Sequence, residues 1–321
     1  MKTTIILSAL LASTLLGSSK AYFEEDTLDG LDERRLRRLM PRLCDPGLGR
    51  TGEECDSWTE CCSEICRRGQ CWSAPQPRWC PGEPTMVMGR PFRVDGDTVS
   101  APLTCQDTGD QRIEVWKESA VGEHASVASF ADLSLKLFTL GAPMDILEKA
   151  ASAQLDEVRH ANLMLGLIRT ANPDEKELKF GAVNLRKVNS SVFDTSYEKI
   201  MLESLEDGCM NEGIAAGIAA EVAKVVKESH VKTVYETIAT DEHRHAMLAW
   251  DIVEWVLSEK PELAETAKTS YEKFAEATEK AGAASFPGSK LTTKEAAARA
   301  VSETLRTNRE RLSKILEKTT A

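Results

Sequence analysis

Asp156-Glu157-Val158-Arg159-His160 recurs 85 residues later as Asp241-Glu242-His243-Arg244-His245. Each copy contains Glu-x-x-His, which on a helix sets a carboxylate and an imidazole one turn apart on one face. One such pair is a weak signal, because Glu and His often fall at that spacing by chance. Two, inside the same word on separate helices, are a strong one. Helical phase sharpens the reading: Glu157 and His160 line up with Ile146, Ala150, Ala153, Met164 and Leu167, and Glu242 and His245 with Tyr235, Ile238, Ala249 and Ile252. Both pairs are expected to point into an apolar interior, where unpaired ionised carboxylates are very costly. A pair of divalent metal ions removes that cost.

Around these words the chain reads as amphipathic helices. The first is predicted from about Arg112 to Leu140 and stops at Gly141; Pro143 then opens a second, which runs to about Thr170 and is closed by Asn172-Pro173. A polar connector, 172–194, leads to a third from Thr195 to Lys227 and a fourth from Val231 to Ser258, before Pro261. One long crossover between the second and third helices suits a four-helix bundle, placed at 111–258. Residues 259–321 read as further charged helices, with a cap for the last one inside Lys290-Leu291-Thr292-Thr293-Lys294-Glu295.

Such a bundle needs one carboxylate from each remaining helix. On the first helix Glu123 shares a stripe with Trp116, Ala120, Val127 and Phe130, 34 residues before Glu157. On the third, Glu212 shares one with Met201, Leu205, Ala215 and Ala219, 30 residues before Glu242. Glu203, Glu206 and Asp207 fall off that stripe in an acidic run and are expected on a solvated face. The two halves repeat as Glu…Asp-Glu-x-Arg-His.

Glu123-His124-Ala125-Ser126-Val127-Ala128, Asp207-Gly208-Cys209-Met210-Asn211-Glu212 and the two Asp-Glu-x-Arg-His words together resemble the ferritin-like di-iron carboxylate superfamily, most of all uncharacterised bacterial ferritin-like proteins. The likeness covers roughly residues 110–258, with Gly89-Arg90-Pro91-Phe92 a candidate extension. It implies a mainly α fold and six metal ligands: Glu123, Glu157, His160, Glu212, Glu242 and His245. It implies two iron ions, manganese being the other metal such proteins bind, and reaction with dioxygen as oxidase, hydroxylase or ferroxidase. By the same analogy Asp156 and Asp241 are outer partners, each serving the His of the opposite helix. Arg159 and Arg244 either pair with these carboxylates or form ordinary surface salt bridges.

Composition sets the outer limits. The 321 residues are 42% hydrophobic and 28% charged, and 40 Lys and Arg stand against 51 Asp and Glu, a net charge of −11. That balance argues against nucleic acid as a partner, since phosphate binding needs a basic surface. Residues 1–21 have Lys2, an apolar run from Ile5 to Leu16 and small residues ending at Ala21, the pattern of a cleaved secretory signal. The run is shorter than the ~20 apolar residues a membrane span needs, and no later segment reaches that length. A secreted or periplasmic protein with no transmembrane segment is therefore expected. Residues 22–43 are a polar linker or, at Arg35-Leu36-Arg37-Arg38, a processing site.

Export makes disulfides the default for clustered cysteines, and eight of the nine lie between Cys44 and Cys105. Cys44, Cys55, Cys61, Cys62, Cys66 and Cys71 are separated by 10, 5, 0, 3 and 4 residues. So short a segment, 44–72, buries too little core to hold itself without covalent links. A zinc site is the rival reading, disfavoured by export and by the lack of His in the segment. Six cysteines permit 15 connectivities, and spacing does not choose among them. The vicinal pair in the middle resembles the inhibitor cystine knot, or knottin, which implies Cys44–Cys62, Cys55–Cys66 and Cys61–Cys71. Cys80 and Cys105, in a loop-rich connector at 73–110 with at most a short hairpin, are expected to bridge. That leaves Cys209 as the free thiol, either a small core residue or a neighbour of the metals.

His124 points to a different face from Glu123 and is assigned to packing or hydrogen bonding; His230 and His243 are expected to be exposed. Three functions remain open on this reading. The chain is an exported di-iron oxidoreductase that activates dioxygen for an unknown small molecule, or a ferroxidase-type iron-binding protein whose substrate is ferrous ion. The third is an interaction protein, docking a partner through its cysteine module while the metals staple the helices.

Overall fold

The computed structural model describes residues 89–94, 97–105, 108–175, 178–183 and 195–319, with the backbone of a hairpin at Cys66–Arg67 (β1) and Gln70–Cys71 (β2). The chain divides into two units, Met1–Pro75 and Gln76–Ala321. In the first, β1 and β2 pair antiparallel with Cys66 opposite Cys71. The expected signal, linker and knottin bridges involving Cys44, Cys55, Cys61 and Cys62 lie outside the described residues, as does Cys80. Cys105 is disulfide-bonded, and Cys209 is free and buried.

The second unit is mainly helical. Helix α1, Gln111–Thr139, starts where the Asp110 carboxylate accepts the Arg112 amide and ends before Gly141, at a φ of +73°. Helix α2, Met144–Ala171, follows at once, with Pro143 at the cap position just before its first turn and Asn172 closing it. Neither boundary strays far from the one predicted.

The third helix departs from expectation. It begins as α3, Tyr197–Glu203, capped by Ser196, widens into a π-helical turn over Ser204–Glu212, and returns to α geometry as α4, Gly213–Val225. Ser204, Asp207, Gly208 and Asn211 are weak α formers, and the turn's backbone is held from outside. Asn308 donates to the Cys209 carbonyl at 2.7 Å, and the Thr304 hydroxyl donates to that of Gly213 at 3.3 Å. Gly208 is required by close approach, since a Cβ there would stand 2.2 Å from that of Ala249.

Helix α5, Ser229–Glu259, completes the set. Helix α1 lies along α2, α4 and the π turn lie along α5, and α2 meets α5. Their facing stripes make one apolar core that includes Trp116, Phe130, Met164, Met201, Leu205, Tyr235, Ile238 and Ile252. Helices α6, Ala264–Ala281, and α7, Lys294–Thr319, pack outside, α6 on the π turn and α7 on α4. The predicted cap of the last helix is Thr293, whose hydroxyl accepts the Ala296 amide. No helix among the described residues is long and apolar enough to cross a membrane.

The connector ahead of α1 forms short pairings. Arg93–Val94 (β3) and Asp97–Thr98 (β4) make a hairpin, and Leu103–Thr104 (β5) pairs with Lys179–Phe180 (β6) of the crossover. Phe92 and Val94 pack on Ala125 of α1.

Candidate metal centre

The repeated words place their side chains as the helical phase requires. Glu123, Glu157, His160 and Glu212 are 0% exposed, Glu242 1% and His245 3%. They form two overlapping groups, Glu123–Glu157–His160–Glu242 and Glu157–Glu212–Glu242–His245, and within each group one ligand atom per residue lies within 4.8 Å of the others. Glu157 and Glu242 belong to both. His160 Nδ1 stands 3.3 Å from Glu242, 3.6 Å from Glu123 and 3.9 Å from Glu157. His245 Nδ1 stands 3.1 Å from Glu157, 3.5 Å from Glu242 and 3.9 Å from Glu212. The two halves of the site are related by an approximate two-fold exchange of helices, as the sequence repeat demands.

Behind each imidazole the pattern also crosses. His160 Nε2 lies 3.0 Å from Asp241 Oδ2, and His245 Nε2 lies 3.4 Å from Asp156 Oδ2. Each aspartate therefore sits behind the His of the facing helix. Arg159 donates to Asp156 at 2.9 Å and to Asp241 at 3.3 Å; Arg244 donates to Asp241 at 2.6 Å and to Asp156 at 2.8 Å. Of the two readings of these arginines, carboxylate pairing describes their contacts, although both guanidinium groups remain half exposed. An Nε2–H held by a carboxylate turns the Nδ1 lone pair inward.

The electrostatics are those of a crowded anionic pocket. Burial, followed by nearby Glu157 and Glu242, holds the Glu123 carboxyl well above its usual range against the opposing His160. Burial and the neighbouring Glu242 do the same to Glu212. Glu242 goes the other way: burial disfavours its charge, but the neighbouring Glu212, His160 and His245 outweigh it and hold the group well below the carboxylate range. Burial opposes protonation of His160 and His245, yet their aspartate and glutamate partners raise both above the usual imidazole range. Asp241, despite burial, is drawn down to about 2 by His160 and Arg244.

The donor set fits a pair of divalent cations. Both oxygens of Glu123, Glu157 and Glu212, one of Glu242, and both histidine Nδ1 atoms are buried without a hydrogen-bond partner. Buried polar atoms are normally satisfied, and here nine unpartnered ones gather in one place. Four carboxylates match the charge of two divalent ions, and carboxylate-imidazole donors suit iron, manganese and related metals.

Comparison with protein-family models, curated proteins and solved structures gives no match to this chain. The reading of the site rests on its own geometry.

The competing acidic residues lie apart from both groups. Glu203 accepts from Lys136 at 2.8 Å, and Glu206 is part-exposed, 3.9 Å from Arg93. Asp207 corrects the expectation of a solvated face: it is buried, with both oxygens 2.5 Å from Arg93 Nη1. Arg93 covers it from the connector, and no helical phase shows a partner so far away in the chain. His124 stacks on Phe180 with centroids 3.9 Å apart, and burial lowers its pKa; His230 and His243 are exposed. Cys209 belongs to neither group, and burial pushes its thiol well up. Phe130, edge-on to the His245 ring at 5.1 Å, was visible in the sequence only as one member of the Glu123 stripe.

Proposed function

We propose that the chain is an exported ferritin-like four-helix protein that holds two iron ions, or manganese, and reacts with dioxygen as an oxidoreductase. The observation that carries this is the pair of overlapping, wholly buried Glu/His groups sharing Glu157 and Glu242, with their inward atoms unpartnered. Glu123 and His160 would serve one ion, Glu212 and His245 the other, and Glu157 and Glu242 both. Asp156 and Asp241 would hold the imidazole tautomers, and Arg159 and Arg244 would offset their charge.

The bound metals would supply one-electron redox chemistry and a place for oxygen. The chain's own groups would keep the cavity dry, fix the ligands and hold the outer protons on the two His Nε2 atoms. A ferroxidase-type reading, with ferrous ion as the substrate, is consistent with the near-zero exposure of all six side chains.

Metal analysis of the purified protein tests the first step, with two ions per chain expected and trace occupancy refuting it. Oxygen uptake then separates the readings. Uptake driven by ferrous ion alone supports the ferroxidase, and uptake requiring an organic co-substrate supports the oxidase.

A further inference from the structure

The carboxylate pair Glu123 and Glu212 does not face open space. The segment Gly89–Arg93 runs across it from the connector. Ser126 of α1 donates to the Arg90 carbonyl at 2.9 Å, Ser129 donates to the Pro91 carbonyl at 3.1 Å, and Arg93 grips Asp207 of the π turn. The strap therefore ties the first helix to the third, the two that contribute Glu123 and Glu212. Its first described residue, Gly89, has a φ of +80°, and a Cβ built there would lie 3.1 Å from Ser126 Oγ, 3.5 Å from Glu212 Oε2 and 4.0 Å from Glu123 Oε2. The last two are ordinary contact distances, so the gap between strap and carboxylates is about one heavy atom deep. Glycine is what keeps that gap open.

We infer that the Gly89–Arg93 strap is the specificity element of the centre, admitting ligands of one or two heavy atoms on the Glu123–Glu212 side and excluding organic ones. This rests on the di-metal reading above. It adds the class of ligand, namely water, hydroxide, dioxygen or another diatomic, and it names residues that touch no metal as the determinants. The two serine hydroxyls on its carbonyls and the Arg93–Asp207 ion pair hold the strap against α1 and the π turn, so the restriction is built into the resting fold. The buried Arg90 side chain lies over the Phe130 ring, 5.9 Å from its centroid.

Two substitutions act in opposite senses. Gly89→Ala narrows the gap, and Ser126→Ala removes both the latch on Arg90 and the nearest wall of the gap. The probes are nitric oxide as the diatomic and acetate as the small organic ligand, titrated into ferrous-loaded protein without oxygen. Optical and spin-resonance spectra report binding, and metal is counted in every sample. Wild type is expected to bind nitric oxide and not acetate. Gly89→Ala should weaken nitric oxide binding at least tenfold with metal content unchanged, and Ser126→Ala should bind acetate at least tenfold better than wild type.

Alanine at this φ is strained whatever the space, so the Ser126 variant also stands as an independent test. Acetate binding equal in wild type and Ser126→Ala overturns the inference, as does unchanged nitric oxide binding in Gly89→Ala. Either result in fully metal-loaded protein leaves the di-metal reading intact, whereas wild type that holds no metal removes both.

Discussion

Replacing Glu212 by Gln removes one ligand charge while keeping the shape of the side chain. In the metal-loaded protein the change strikes the ion expected between Glu212 and His245, and stoichiometry should fall from two toward one per chain. If affinity for that ion drops about a hundredfold, the loss of ligand-linked stability is about 2.7 kcal/mol at saturating metal. For a helical unit of this size that corresponds to a fall in thermal midpoint of about 5–10 °C. The metal-free protein should respond differently. There burial, and then Glu242, pushes the Glu212 carboxyl well above its usual range, so a neutral isostere at this position relieves the same crowding that disfavours its charge. The stability of the metal-free protein should change by less than about 1 kcal/mol. Glu206→Gln is the matched control, since its side chain is 42% exposed and its charged neighbour is Arg93 at 3.9 Å. The assay is metal stoichiometry with thermal melts of both variants, with and without chelator. Full occupancy in Glu212→Gln, or metal loss in Glu206→Gln, would refute the assignment of the third-helix ligand.

Gly208→Ala should destabilise the protein by about 1–3 kcal/mol or more through overpacking on Ala249, and Ala249→Gly in the same chain should recover most of it in denaturant melts. Asn308→Ala leaves the buried Cys209 carbonyl unpaired and should cost about 1–3 kcal/mol. The same variant should alter the optical spectrum of a metal-loaded sample, because the π turn it releases ends at Glu212. The metal-free protein should lose stability as pH rises. Glu123, Glu212, His160 and His245 all titrate above their unfolded values, so folding takes up protons. That contribution is complete below the unfolded carboxyl and imidazole values and fades as pH climbs through the folded ones. The depressed Asp241 and Glu242 work the other way, and their contribution is lost only in acid. Melts in chelator from about pH 6 to pH 9 should therefore show a falling midpoint, and metal uptake should release protons; a rising midpoint would contradict the charge assignment.

Much of the site is legible in the order of residues alone. Glu-x-x-His at 157–160 and 242–245, and the stripes that select Glu123 and Glu212, depend on α-helical periodicity, which is local and shows in the order of residues. The crossed placement of Asp156 and Asp241 followed from resemblance and not from periodicity, because it concerns side chains on facing helices. The helix limits at Asp110, Gly141 and Asn172 were readable for the same local reason: caps and breakers act within a turn. What tertiary structure alone decided are features whose causes lie far apart in the chain. The π turn at Ser204–Glu212 depends on Ala249 standing against Gly208 and on Asn308 reaching the Cys209 carbonyl from 99 residues away. Asp207 turned out buried because Arg93, 114 residues earlier, supplies its counter-charge. The strap over Glu123 and Glu212 exists because Ser126, Ser129 and Asp207, on two different elements, accept or anchor one short segment at once. Periodicity specifies which face of a helix is buried; only packing specifies what comes to lie against it.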